Sequence, residues 1–136
     1  MIIVIDYDAG NTANVLRALA AIGAEARLSA DPKEILAADG LILPGVGAFR
    51  AAMQELQKRD LIGPIQEAVS GGKPFLGICL GMQLLLEVGL ENGQTSGLGF
   101  IPGVCRRIPA RAGLPVPHMG WNDLQIQQPS ALTAGL

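Results

Sequence analysis

This chain has little charge of either sign and no run of like charges. Only 16% of its 136 residues are Asp, Glu, Lys or Arg, against 49% hydrophobic, and the formal net charge is −2. No Lys/Arg cluster interleaves with aromatics, which argues against DNA or RNA as a main partner. The apolar content excludes a disordered chain. Two cysteines, Cys79 and Cys105, are too few for a disulfide framework. No apolar stretch approaches membrane-spanning length. The opening Met1–Asp6 lacks a basic region and has too short an apolar run for a signal peptide. A soluble protein of a reducing cytoplasm is expected, with no membrane association. No metal or cofactor is expected either. Histidine is nearly missing, with His118 the only one, and no glutamate follows Glu91.

What the chain does have is a cysteine between two glycines. In Leu76-Gly77-Ile78-Cys79-Leu80-Gly81-Met82-Gln83, the thiol follows an apolar run, Pro74 to Ile78, that reads as a buried strand. Leu84, Leu85, Leu86 and Val88 then read as a continuing helix. A strand, a sharp turn and a helix with a thiol at the tip form a nucleophile elbow with Cys in place of Ser. There a helix N-terminus stabilises a thiolate, and the Leu80 amide is free for a developing oxyanion. Glycines at 77 and 81 let the corner close. The bland alternative is that Cys79 is a small buried hydrophobe.

A second loop, Pro44-Gly45-Val46-Gly47-Ala48-Phe49, follows the apolar strand Leu41–Leu43. Its two glycines can present backbone amides to an oxyanion or a carboxylate. No Gly-Lys-Ser/Thr follows, so it is not a P-loop. By itself the loop says little, since glycine-rich strand-to-helix turns are common.

Strands and helices alternate through the first two-thirds. Ile2–Ile5 reads as a central parallel strand. Asn11 or Thr12 caps a helix with Val15, Leu16, Leu19 and Ile22 on one face, ended by Gly23. Residues 24–28 read as a half-exposed strand, and Asp31-Pro32 as a cap with proline at the first helical position. Helical patterns cover Phe49 to Lys58 and Leu61 to Ser70. After Gly89 the alternation breaks, with short strands expected near Val104–Ile108, Val116–Met119 and Leu124–Ile126. There is no repeat and no linker, so residues 1–136 are read as one domain. The expected fold is α/β: a three-layer, open, mostly parallel sheet with helices on both faces, flavodoxin-like. In such sheets the site lies at the carboxyl ends of the strands. Asp6, the Pro44 loop and Cys79 all fall there; Asp6 and Asn11 are read as loop caps.

Together these blocks resemble the class I, triad-type glutamine amidotransferases. Pro44 to Phe49, Leu76 to Leu85 and Pro117-His118-Met119-Gly120-Trp121-Asn122 carry the likeness, with Gly97-Leu98-Gly99, Ile101-Pro102-Gly103 and Arg106-Arg107 as a looser fourth block. The Pro117–Asn122 block is similar to that of the glutaminase subunits of histidine biosynthesis in particular. The resemblance implies that Cys79 attacks the side-chain amide of glutamine, forming a thioester and releasing ammonia. Leu80 and Val46 or Gly47 would supply oxyanion amides. Gly45, Gly47, Gln83 and Glu91 would hold the substrate, although Gln83 and Glu91 are also ordinary polar positions. His118, Met119, Gly120, Trp121 and Asn122 would face a cyclase partner, a (β/α)8 barrel that uses the ammonia, with Trp121 over the ammonia route.

One part of that pattern is missing. Family members carry the catalytic His and Glu in a His-Pro-Glu type segment near their C-terminus, and here His118 is followed by Met and Gly. Ser130–Leu136 reads as the start of a helix cut short. The expectation is an N-terminal part of a glutaminase domain, inactive as 136 residues. The alternatives are a non-catalytic pseudo-glutaminase serving as an interaction module, or the glutaminase of another pathway such as vitamin B6 or anthranilate synthesis.

Overall fold

The computed structural model describes residues 1–111, 113 and 115–134. Twelve elements follow in order among them. They are β1 (Ile2–Ile5), α1 (Thr12–Ala21), β2 (Ala26–Ser29), α2 (Pro32–Ala37), β3 (Gly40–Leu43), α3 (Phe49–Lys58) and α4 (Ile62–Ser70). Next come β4 (Phe75–Gly77), α5 (Leu80–Gln83), β5 (Leu86–Gly89), β6 (Thr95–Ser96) and β7 (Ile101–Cys105).

The first four strands form one parallel sheet in the order β2-β1-β3-β4. Apolar runs without polar alternation at Ile2–Ile5 and Leu41–Leu43 suit this, because a parallel strand is covered on both faces. Side chains alternate accordingly. Ile3, Ile5, Leu41 and Leu43 pack with Ile35, Phe49, Leu56 and Ile65 of α2, α3 and α4. Val4 and Ile42 point the other way and pack on Leu19 of α1. The expected open α/β sheet with helices on both faces is therefore observed.

Local signals set the helix ends. The Asn11 side chain accepts from Asn14 N–H at 3.2 Å, and the Asp31 side chain from Lys33 N–H at 2.8 Å with Pro32 behind it. Gly23, at φ +73°, takes the left-handed turn after α1. Ile22, expected on the apolar face of α1, is instead its C-cap and is exposed.

The elbow region departs from expectation. The helix after Cys79 is the single turn α5, and Leu86–Gly89 is a strand rather than helix. Leu84–Val88 has helix-forming Leu and Glu, but cross-strand bonding with Ile101–Cys105 on one side and Thr95–Ser96 on the other overrides that preference. The result is a second, mixed sheet of order β6-β5-β7 that sequence patterning did not anticipate. The strand expected over Val104–Ile108 is shifted to β7. Val116–Met119 and Leu124–Ile126 are not strands; they are exposed and pair with no strand among the described residues. Ala131–Ala134 is a turn closed by Thr133 N–H to Ser130 O at 3.0 Å, and Gly135 and Leu136 lie outside the described residues.

β4 was expected to be buried, yet it lies at an edge of its sheet, with Leu76 40% and Ile78 37% exposed. Unpaired strand edges flanked by apolar side chains recruit other chains. The 136-residue chain is expected to self-associate across the micromolar to millimolar range, and Leu76→Lys to reduce this. Sedimentation velocity showing a monomer throughout would contradict it.

Candidate active site

Cys79 sits at φ 57°, ψ −116°, one of three non-glycine residues with positive φ among those described. The other two are aspartates, which tolerate such angles better. A cysteine in this conformation persists only where its surroundings fix it. They do so here through backbone. Ile78 N–H donates to Leu43 O at 2.9 Å, Gly81 N–H to Ile78 O at 3.0 Å and Met82 N–H to Cys79 O at 3.1 Å. A Cβ on Gly77 would stand 2.6 Å from the N and Cα of Met82, and one on Gly81 would overlap Leu43 O. Both glycines are therefore demanded by the corner.

The thiol at its tip is exposed, so the reading of Cys79 as a buried hydrophobe fails. Among the described residues the Leu80 N–H has no hydrogen-bond acceptor. Because α5 is one turn long, the elbow offers local amides rather than the summed dipole of a long helix.

The Pro44 loop leans on this corner. A Cβ on Gly45 would lie 2.6 Å from Tyr7 Oη, 2.8 Å from Gly81 N and 3.0 Å from Leu80 Cβ. Tyr7 Oη–H donates to Pro44 O at 2.7 Å. At the other end of the loop Phe49 N–H donates to the Glu91 carboxylate at 2.9 Å. Between these anchors Val46 is exposed, and Gly47 takes φ +91° in open space. Cys79 shares a cleft of about 540 Å³ with Pro44, Gly45 and Val46, lined also by Asn11 and Val15.

Tyr7 was not singled out in the sequence. It is fully buried, and its phenol is pushed up to about 12 by burial first and by the Cys79 charge second. Its place just past the carboxyl end of β1 was the available signal. Burial, then Glu91, also raises the Cys105 thiol above its ordinary value, and Cys105 is half-buried.

The expected residues thus fall into two groups. Cys79, Leu80, Gly45 and Val46 come together, with Gly47 at the loop tip and Gln83 one turn beyond the thiol, its N–H on Cys79 O at 3.3 Å. His118 to Asn122 do not join them. His118 Nε2 pairs with Asn122 Nδ2 at 3.2 Å, and Met119 and Trp121 are exposed. His118 lines a separate cavity of about 380 Å³ with Pro109, Arg111 and Val116. Among the described residues, no imidazole lines the Cys79 cleft. Another cavity, about 780 Å³ between α3, α4 and β6, does not reach Cys79.

Residues 3–136 match the family model of glutamine amidotransferase class-I. The chain belongs to that family. It is 83% identical over 136 residues to imidazole glycerol phosphate synthase subunit HisH of Streptococcus gordonii, covering all of this chain and 66% of that protein. The same-named subunit of Streptococcus mutans is 71% identical over 136 residues, covering all of this chain and 68% of that protein. That of Lacticaseibacillus casei is 55% identical over 134 residues, covering 98% of this chain and 64% of that protein. The chain thus spans about two-thirds of the length of these relatives. A solved glutamine amidotransferase superposes with a TM-score of 0.62 at 19% identity, covering 73% of this chain and 52% of that one, a likeness of fold. Among the described residues of this amidotransferase chain, no helix is long and apolar enough to cross a membrane.

Gly81→Ala is expected to lower stability by more than about 3 kcal/mol or prevent folding, because backbone must move. Ala51→Gly, on the exposed side of α3, should lower it by only about 1 kcal/mol. Urea midpoints compare the two, and equal effects would contradict the geometry. A phenol raised in the folded state contributes stability that is complete below its ordinary value of 10.0 and is lost as pH rises toward about 12. Tyr7→Phe should therefore flatten the fall in melting temperature above pH 10 relative to the parent.

Proposed function

We propose that the protein to which these residues belong hydrolyses glutamine to glutamate and ammonia through a thioester on Cys79. The ammonia passes to a (β/α)8-barrel cyclase, the two subunits together making imidazole glycerol phosphate and AICAR in histidine biosynthesis. The observation that carries the reading is the strained, exposed Cys79 beside an unengaged Leu80 N–H, with the Pro44 loop on the same cleft. The likeness to imidazole glycerol phosphate synthase subunits supports the pathway.

Chemistry follows from that arrangement. Cys79 Sγ, as thiolate, attacks the side-chain carbonyl carbon of glutamine. Charge moves onto the carbonyl oxygen, where the Leu80 amide and a Val46 or Gly47 amide would receive it. Collapse expels the nitrogen as ammonia once it has been protonated, leaving an acyl-thioester. Water then adds to the thioester and glutamate departs, restoring the thiol. Gly45, Gly47, Gln83 and Glu91 would frame the substrate. Both steps need a proton carrier, normally an imidazole oriented by a carboxylate. No imidazole lines the cleft among the described residues, so we assign that carrier to residues outside these 136.

His118 to Asn122 form the proposed partner face. Trp121 and Met119 stand in solvent beside a chain segment whose only charges are Arg106, Arg107, Arg111 and Asp123. Exposed Trp and Met flanked by arginine are typical of interface anchors. A free catalytic thiol fits a reducing cytoplasm.

Glutamate release by the full-length subunit with its cyclase is the test. Cys79→Ala is expected to abolish turnover, and retained turnover would sink the thioester. The 136 residues alone, even with the cyclase, should release negligible glutamate. Here turnover sensitive to Cys79→Ala would show that the proton carrier lies within them.

A further inference from the structure

We propose that Glu91 is a positioning residue that fixes the Pro44–Ala48 loop through the first amide of α3, a role that rests on the glutaminase reading above. Helix α3 begins at Phe49 behind Ala48, which has no side chain able to cap it. Four initial N–H groups of any helix need partners from elsewhere. The first is met from 42 residues away, by Glu91 Oε2 at 2.9 Å from Phe49 N. A carboxylate at that position also complements the positive end of the helix.

Four further contacts hold the Glu91 segment against the first turn of α3. A Cβ on Gly89 would lie 2.5 Å from the Phe49 ring, and one on Gly97 would lie 3.1 Å from its tip. Arg50 Nε donates to Thr95 Oγ1 at 3.2 Å. Arg50 also packs over Gly93, whose Cβ would stand 2.9 Å from the guanidinium. The β5–β6 turn thus grips both sides of the helix start.

The consequence is mechanical. Pro44 O is held by Tyr7 Oη–H at 2.7 Å and Phe49 N–H by Glu91 at 2.9 Å, leaving four residues between the pins. Gly45 is wedged against Gly81 and Tyr7, so the peptides of Val46 and Gly47 hold whatever freedom remains. Those are the amides the reaction needs. Releasing the Glu91 pin lengthens the free span and disperses their orientation, lowering stabilisation of the oxyanion without touching the thiol. Glu91 acts on chemistry through the loop, whereas a group that only grips glutamine would act on binding.

The experiment uses the full-length subunit in complex with its cyclase, as Glu91→Ala and Glu91→Gln, with ¹⁵N-phenylalanine labelling. Only Phe49, Phe75 and Phe100 then report within these residues. Glu91→Ala is expected to lower kcat on the order of tenfold or more. It should also move the Phe49 amide resonance upfield and speed its hydrogen exchange, while Phe75 and Phe100 stay in place. Glu91→Gln, which keeps an acceptor oxygen, should restore kcat to within about threefold and the Phe49 signal with it. A rise in KM with kcat unchanged, or a kcat loss with the Phe49 amide unmoved, would overturn the proposal. If the parent complex releases no glutamate, the glutaminase reading itself fails. The Phe49 signal then judges the pin separately, and an unmoved amide rejects it.

Discussion

Everything at the candidate site depends on how closely β3 and the α5 turn approach one another. Leu43 O accepts from Ile78 N–H, and the same oxygen occupies the space a side chain at position 81 would need. Because main chain meets main chain there, the corner cannot relax, and Cys79 is held in a conformation it would not choose. Gly45 extends the contact by fitting between Tyr7 and Gly81. The loop after β3 and the elbow after β4 are thereby one packed unit, although about thirty residues separate them in the chain.

Much of this was legible because the signals are local. Gly-x-Cys-x-Gly after an apolar run fixes a corner almost regardless of context, and Asp31-Pro32 fixes a helix start. A continuous apolar run marked β1 as a central parallel strand, and a second marked β3 as a strand closed by Pro44. Neighbouring Cys79, Leu80, Gly45 and Val46 followed from the rule that loops at strand carboxyl ends converge.

What was not legible depends on partners distant in sequence. Leu86–Gly89 is a strand because Ile101–Cys105 lies beside it, and its own residues favoured a helix. Leu76 is exposed because β4 ends the sheet, and an apolar pattern does not reveal which strand is outermost. The Tyr7 hydroxyl is tied to a carbonyl 37 residues away, and no spacing rule points to such a pair. Segments 116–119 and 124–126 have the composition of strands, yet among the described residues no strand lies beside them to pair with.

The two faces of the main sheet are unequally furnished. Three helices, with Ile35, Phe49, Leu56 and Ile65, fill one side, whereas α1 alone covers the other and buries little beyond Val4, Leu19 and Ile42. Local opening free energies track such differences in buried apolar contact. In the hierarchy of partial unfolding α1 should therefore detach well before the sheet itself opens. Asn11 and Val15 of that region line the Cys79 cleft, while the side bearing the thiol is tied through Ile78 N–H to Leu43 O of β3. The cleft thus has a fixed side that sets chemistry and a yielding side that sets its width.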